Sequence, residues 1–327
     1  PHHLAHPEHA VTLYLTEQQV GDLLSMDMAL DAVEEVFRAR SLGEVVNHPR
    51  QRIGLGTGVY NLMAAGWPAR GIVGSKSYVG GSGSITFQVL LYSSSGEGLL
   101  AVMDANLLGQ IRTGAASGVG TKHLARRGAS NVAIIGAGYQ ARTQLEAISK
   151  VTGVEHARVF SRTPERRESF ASEMSEKMGF EITPTASPQE CVEGADVVVT
   201  ITSARDPVLH GEWLKPGMHI NAAGANGWMR RELDSDAVTR CDLITTDDID
   251  QAKIECADIM APAATGRVLW ERVLHLGDVV SGKHPGRTSD SQITLFESQG
   301  VAMEDIAVAH RVYQKAREQG VGTELPG

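Results

Sequence analysis

Apolar positions in this chain recur with two different periods, and the switch between them divides it. Thr16-Glu17-Gln18-Gln19 has the form of a capping box. A second helix, opened by Asp27, carries Ala29, Val33, Val36 and Phe37 on one face and ends near Gly43. From Gly54 to Val102 the texture becomes short β-like runs, among them Ile72-Val73, Thr86–Tyr92 and Leu99–Val102, punctuated by Gly and Ser. Such runs predict a mostly antiparallel sheet. Thr113 to Ala125 reads as a helix, and beyond it strands alternate with helices. The strands are Val132–Ile135, Arg158–Phe160, Glu181–Thr183, Val197–Thr202, His219–Ala222 and Leu243–Thr246, with helices from Gln140, Pro164 and Pro188. That alternation is the habit of a parallel, doubly wound sheet. A strand-like Ile293–Phe296 then precedes an amphipathic helix from Met303 to Gln319, whose apolar spacing at Ile306, Val308, Ala309, Val312 and Tyr313 would let it return to the first domain. The expected fold class is α/β: a Rossmann-type sheet over 120–302 and a mixed α+β domain made of 1–119 and 303–327.

Composition narrows the function. With 327 residues, 42% hydrophobic and 21% charged, the chain is long enough for two domains with full cores. No Gly-X-Y period accounts for its 35 glycines, which places them in turns. The net charge of −9 argues against nucleic-acid and anionic-membrane partners, so a small anionic ligand needs a locally basic pocket. Cys191, Cys241 and Cys256 are too widely spaced for a CxxC metal site and read as free thiols of a reducing, cytoplasmic compartment. No run approaches the ~18 apolar residues of a membrane span. The first nine residues, with His2, His3, His6 and His9, lack the apolar core of a signal peptide and read as a mobile terminus. Gly277–Lys283 fits GxxxxGK, but His284 replaces the magnesium-binding hydroxyl and Pro285 obstructs the following helix, so the match is read as coincidental. No GxSxG elbow, HExxH pair or EF-hand loop supports a hydrolase, zinc or calcium reading, and no metal is expected.

The clearest motif is Val132-Ala133-Ile134-Ile135-Gly136-Ala137-Gly138-Tyr139-Gln140-Ala141, a strand running into GxGxxA and then a helix. Gly136 permits the tight turn, Gly138 lets a pyrophosphate approach backbone N–H groups, and Ala141 allows close helix–strand packing. At the end of the next strand, where an NAD site carries an acidic residue, stands Phe160-Ser161-Arg162-Thr163. Its guanidinium and hydroxyls suit a 2′-phosphate, so NADP(H) is expected ahead of NAD(H). The cofactor set is Thr113, Gly136, Gly138, Tyr139, Gln140, Ala141, Ser161, Arg162, Thr163, Thr200, Thr202 and Gly224. The first domain offers Arg50, Arg52, Lys76 and Arg112 as cations, and Lys76 interrupts a Gly- and β-rich stretch where exposure would be costly.

In His48-Pro49-Arg50, Asn61-Leu62-Met63, Lys76, Leu100–Asp104, Ile111-Arg112-Thr113, the GAGYQA loop, Gly194–Val197, Pro216–Ala222, Ser289–Thr294 and Ala302–Asp305, the chain resembles the ornithine cyclodeaminase/mu-crystallin family from about Leu13 to Gly322. The resemblance implies that Arg50, Lys76 and Arg112 converge on the carboxylate of an amino or imino acid, with Asn61 lining the substrate and Lys76, Arg112 and Asn226 at the reacting centre. It also implies a homodimer built on the first domain. Two departures bear on activity. Asn226 stands where cyclodeaminases carry an acidic residue, and Asn61 where they carry a Glu. An amide cannot serve as a titrating base, which argues against cyclisation of a diamino acid. Ser161-Arg162-Thr163 resembles the NADPH-using ketimine-reductase branch. The expected function is an NADPH-dependent imine (ketimine) reductase or reductive aminase acting on a small carboxylate-bearing imine, amino or oxo acid. Ornithine cyclodeaminase, alanine dehydrogenase, and a mu-crystallin-like protein that binds NADPH and a carboxylate ligand are the alternatives.

Overall fold

The computed structural model describes residues 11–81 and 85–326, so the His-rich start lies outside the described residues. The chain divides into two compact units, one of 1–112 with 301–327 and the other of 113–300. These divisions fall a few residues from the 119/120 and 302/303 positions suggested by the sequence. The first lies inside a continuous helix, so no break in secondary structure marks it.

The first unit opens with β1 (Leu13–Leu15), α1 (Glu17–Leu23) and α2 (Met26–Ser41). The capping box at Thr16 forms as expected: Gln19 N–H donates to Thr16 Oγ1, and Thr16 N–H donates to Gln19 Oε1. For α2 the cap is Ser25, whose Oγ accepts from Met28 N–H. Asp27 lies in the first turn, where a carboxylate complements the helix dipole. β2 (Val46–Gly54), β3 (Gly58–Trp67), β4 (Ile72–Gly81), β5 (Phe87–Ser93) and β6 (Leu99–Asp104) follow as antiparallel neighbours. Next comes α3 (Asn106–Leu124), which begins seven residues before the expected Thr113. Its start is set from a distance, because the Glu17 carboxylate accepts from Asn106 and Leu107 N–H groups.

In the second unit the elements are β7 (Asn131–Ile135), α4 (Ala141–Val151), β8 (His156–Phe160), α5 (Pro164–Met178), β9 (Glu181–Pro184), α6 (Pro188–Val192), β10 (Val197–Thr200), β11 (His219–Ala222), α7 (Ser235–Thr239), β12 (Leu243–Thr246), α8 (Ile249–Glu255), α9 (Ala257–Ala264), β13 (Val273–His275), α10 (Leu276–Val280) and β14 (Thr294–Glu297). They form an eight-stranded parallel sheet in the order β13-β12-β14-β11-β10-β7-β8-β9. Its central strands are buried on both faces, with Val132 and Ile134 in one core and Ala133 and Ile135 in the other. Residues 277–280 of the GxxxxGK match are helical, so no phosphate loop forms there.

The chain ends in α11 (Ala302–Gln319) and β15 (Thr323–Glu324), both in the first unit. β15 pairs with β1, completing a sheet ordered β15-β1-β6-β5-β4-β3-β2. α11 packs against α2 and across β3, β4 and β5. Because strand side chains alternate, one face of this sheet is covered and the other is open.

Candidate active site

The cations of the first unit gather on its covered sheet face. Across the strands, Lys76 is flanked by Met63 on β3 and Val89 on β5, with Met103 beyond, all of them buried. Lys76 itself is only 3% exposed. A lone ammonium in such a row needs partners. Its Nζ donates to Asp305 Oδ1 at 2.9 Å, and the Phe87 ring centroid lies 5.2 Å away. Arg112, also buried, donates from Nε to the same Asp305 oxygen at 2.9 Å and from Nη1 to Glu304 Oε2 at 2.8 Å. Arg50 is buried at the bulge of β2, where the register with β3 slips between His48 and Gln51. Asn61, buried on β3, donates to the Val59 carbonyl. The structure therefore brings Arg50, Lys76 and Arg112 together.

Electrostatics in this cluster are opposed. Burial lowers the Lys76 ammonium, Asp305 lifts it, and Arg112 and Arg50 lower it again, leaving it at about 8. Burial also works against the Arg112 charge, but Asp305 and Glu304 outweigh it and raise the guanidinium further. Burial would raise Asp305, yet Arg112 and Lys76 hold it below the usual carboxylate range. Glu304 and Asp305 were not anticipated as site residues. One signal was available: Asp305, Val308, Ala309 and Val312 follow helical spacing, so Asp305 falls on the apolar stripe of α11. Arg112 was placed just before a helix and instead lies within α3.

The second unit holds the glycine loop and Asn226. Gly136 adopts φ +118°, and a Cβ there would run into the Ile201 carbonyl at the end of the neighbouring β10, so only glycine fits. A Cβ at Gly138 would meet nothing within 4 Å, which leaves its backbone open to a ligand. Gln140 precedes α4 without capping it through its side chain, Ala141 is fully buried, and Tyr139 is exposed. An open glycine backbone leading into a helix N-terminus fits a dinucleotide pyrophosphate. It lies at the carboxyl ends of β7 and β10, where the strand order reverses. Thr113 contributes its carbonyl to Gln144 Nε2, tying α3 to α4.

Past β8, Ser161 is half-buried and Arg162 and Thr163 are exposed. The Arg162 guanidinium makes no hydrogen bond or ion pair among the described residues. Arg167 donates to the Ser161 carbonyl and lies over the Phe160 ring, holding this turn. Thr200 ends β10, Thr202 lies in the loop beyond it, and Gly224 lies just past β11. All three converge on Glu232, which sequence reasoning missed. Its Oε1 accepts from Thr202 N–H at 2.6 Å and Thr202 Oγ1 at 2.7 Å, and its Oε2 from Thr200 Oγ1 at 3.1 Å and Gly224 N–H at 2.8 Å. Burial raises this carboxyl and its four hydrogen bonds oppose the shift; the Thr202 and Gly224 N–H groups can only donate, so each carboxyl oxygen has one fixed donor. Nothing in the sequence around Glu232 marks it, because its partners come from two other loops. Asn226, half-buried, accepts from Arg230 at 3.5 Å.

With these two clusters in place, residues 10–320 match the family model described as "Ornithine cyclodeaminase/mu-crystallin family". The chain belongs to this family. It is 36% identical over 320 residues to the alanine dehydrogenase of Archaeoglobus fulgidus, covering 96% of this chain and 98% of that one. It is 39% identical over 228 residues to a Delta(1)-pyrroline-2-carboxylate reductase of Bacillus cereus, covering 69% of this chain and 70% of that one. Among solved structures, Thermococcus litoralis Delta(1)-pyrroline-2-carboxylate reductase in complex with NADH and L-proline superposes with a TM-score of 0.91. Their sequences are 35% identical, over 96% of this chain and 100% of that one. The fold of the chain is thus the family's α/β fold, with one parallel and one mixed sheet. Among the described residues, no helix is long and apolar enough to cross a membrane.

Proposed function

We propose that this chain is an NAD(P)H-dependent oxidoreductase acting on carbon–nitrogen bonds. It reduces the imine of a small 2-imino carboxylate, preformed as a cyclic ketimine or assembled from a 2-oxo acid and an amine. The observation that carries the reading is the burial of three cations, Arg50, Lys76 and Arg112, in one cluster, with Lys76 and Arg112 sharing the Asp305 carboxylate. Cations gathered out of water with donors still to spend suit an anionic ligand. Lys76 has three N–H donors and spends one on Asp305, while Arg112 retains Nη2 beyond the two bonds described; these donors would hold the substrate carboxylate. Asn61 would line the substrate, and Asn226 would serve as a hydrogen-bonding group that cannot act as a base.

The dinucleotide would be held by Thr113, the Gly136–Ala141 loop, Ser161–Thr163, Thr200, Thr202 and Gly224, and it supplies a hydride to the imine carbon when bound. NADPH is the preferred form. This rests on Arg162, which is exposed and makes no hydrogen bond or ion pair among the described residues, and on the absence of an acidic residue in 161–163. In this reading, 120–302 is the dinucleotide domain and 1–119 with 303–327 the substrate and dimerisation domain. A homodimer is supported by the open face of the first sheet, where Ile53, Tyr60 and Val79 lie in one cross-strand row and Val46, Gly66, Val73 and Tyr92 in another. Ile53 is 58% and Val79 49% exposed, which marks this apolar face as one to be covered. Three buried free thiols suit a cytoplasmic, reducing compartment.

The full-length likeness to an alanine dehydrogenase favours a second reading, in which the imine comes from pyruvate and ammonia. One experiment separates the two: NADPH and NADH oxidation with Δ1-pyrroline-2-carboxylate, Δ1-piperideine-2-carboxylate, pyruvate plus methylamine, and pyruvate plus ammonia. The reductase reading expects the cyclic imines to have the highest kcat/KM. Turnover restricted to pyruvate plus ammonia would replace it with the second, and binding of NADPH with no turnover would leave a carboxylate-binding protein.

A further inference from the structure

We propose that Asp305 is the positioning residue of the reaction, using one oxygen to fix both Lys76 and Arg112 so that Lys76 meets the imine as a charged, aimed proton donor. The proposal rests on the reductase reading and adds the origin of the proton. As the imine carbon is reduced, the C=N electron pair passes to nitrogen, which takes a proton from Lys76 Nζ; neutral Lys76 then regains one from water.

Four observations fix the ammonium. Asp305 Oδ1 receives Lys76 Nζ and Arg112 Nε, each at 2.9 Å, so one atom sets the spacing of both cations. Asp305 is fully buried, which makes its charge act through a medium that screens poorly. On α3, a Cβ at Gly109 would lie 2.9 Å from Lys76 Nζ, so the glycine clears the volume that the ammonium fills. The Phe87 ring bounds it on the β5 side. The charged groups around Lys76 are Arg50 from β2, Arg112 from α3 and Asp305 from α11, with Glu304 paired to Arg112; β3 and β5 contribute the uncharged Met63 and Val89.

Burial and two neighbouring guanidiniums all work against the lysine charge, and Asp305 is the group that opposes them. Without it Lys76 would become neutral at the pH of catalysis, and no proton would be in place.

Asp305→Asn keeps the shape and an accepting oxygen but removes the charge. The basic limb of kcat/KM against pH should move down by about 1–3 units, so that the loss relative to the parent grows with pH and reaches at least about tenfold above the new limb. Asp305→Glu, which retains the charge, should leave the limb close to the parent's. Two imines of different basicity separate the substrate's own titration. A limb unmoved in Asp305→Asn, with one uniform loss at every pH, would overturn the proposal. In the parent, Lys76 Nζ followed by NMR on lysine-labelled protein, assigned by its absence in Lys76→Arg, should titrate with the kinetic limb; a mismatch of more than about one unit overturns the proposal even if Asp305→Asn does not fold. If the parent reduces no imine, the reductase reading fails by itself. The NMR shift between parent and Asp305→Asn still decides whether Asp305 holds the lysine charged.

Discussion

Replacing Arg112 by Met would do more than weaken substrate binding. The guanidinium neutralises Glu304 and Asp305, both fully buried, and its removal strands a carboxylate in the interior. Breaking one side of a buried pair costs about 3–5 kcal/mol, so Arg112→Met should lower the urea midpoint strongly besides raising KM. The exposed Arg166→Met should change neither. Arg162 is the opposite case, exposed and without a hydrogen bond or ion pair among the described residues. Arg162→Asp should leave stability unchanged and weaken NADPH use roughly ten- to hundredfold relative to NADH, from the loss of charge-assisted bonds at about 1.5–3 kcal/mol. An unchanged ratio of kcat/KM for the two dinucleotides would remove Arg162 from the 2′-phosphate site. Gly109→Ala forces Lys76 Nζ from its place, and should lower kcat more than it raises KM. The cations could be read as candidates because charge in an apolar strand is rare. Their carboxylate partners could not, since they lie more than 190 residues away in sequence.

At the scale of elements, the parallel strands and the helices opening at Pro164 and Pro188 were legible because each carries its own signal: continuous apolar runs for strands buried on both faces, and Pro at the first helical position. α3 was read seven residues short because Glu17, on α1, supplies its cap. Glu232 joins the loops after β10 and β11 in the same non-local way. Glu232→Gln places an amide against the Thr202 and Gly224 N–H donors, which cannot be satisfied by another donor. It should cost about 3 kcal/mol or more in chemical denaturation and weaken dinucleotide binding at least about tenfold by fluorescence titration. Loss of stability with unchanged dinucleotide affinity would show that these loops do not form the cofactor site.

For the molecule as a whole, pH tests the buried acids of the second unit. Burial pushes Asp247 and Asp258 up to about 7, with Asp248 and Glu232 respectively adding repulsion. A carboxyl whose folded value exceeds its unfolded one binds more protons when folded; its stabilisation is full below about 4 and is lost as pH rises through about 7. These two groups should therefore lower thermal stability as pH rises from about 4 to about 7, by up to about 1.4 kcal/mol per unit for each group, with no further fall from them at higher pH. Lys76 acts in the opposite sense only above about 8, and His219 and His310, held neutral by burial, matter only below the usual histidine range. Asp258→Asn, which preserves the oxygen accepting from Glu232 and Leu233 N–H, should flatten the slope. On the first unit, a charge in the open sheet face is the test of assembly. Val79→Glu should give monomers by light scattering where the parent gives dimers, and a parent that is monomeric at micromolar concentration would end the dimer proposal.

The sequence by itself determined what is encoded locally: the order of strands and helices, the GAGYQA turn whose first glycine alone can lie against Ile201, and the three cations set among apolar neighbours. Tertiary structure decided what those cations are. Folding carries Glu304 and Asp305 on the last helix against a sheet formed near the start of the chain, and it brings Glu232 to four donors on three residues at the ends of two strands. Buried charge is tolerated only when it is paired, and which groups pair is fixed by contacts between segments far apart in the chain, which no local periodicity records.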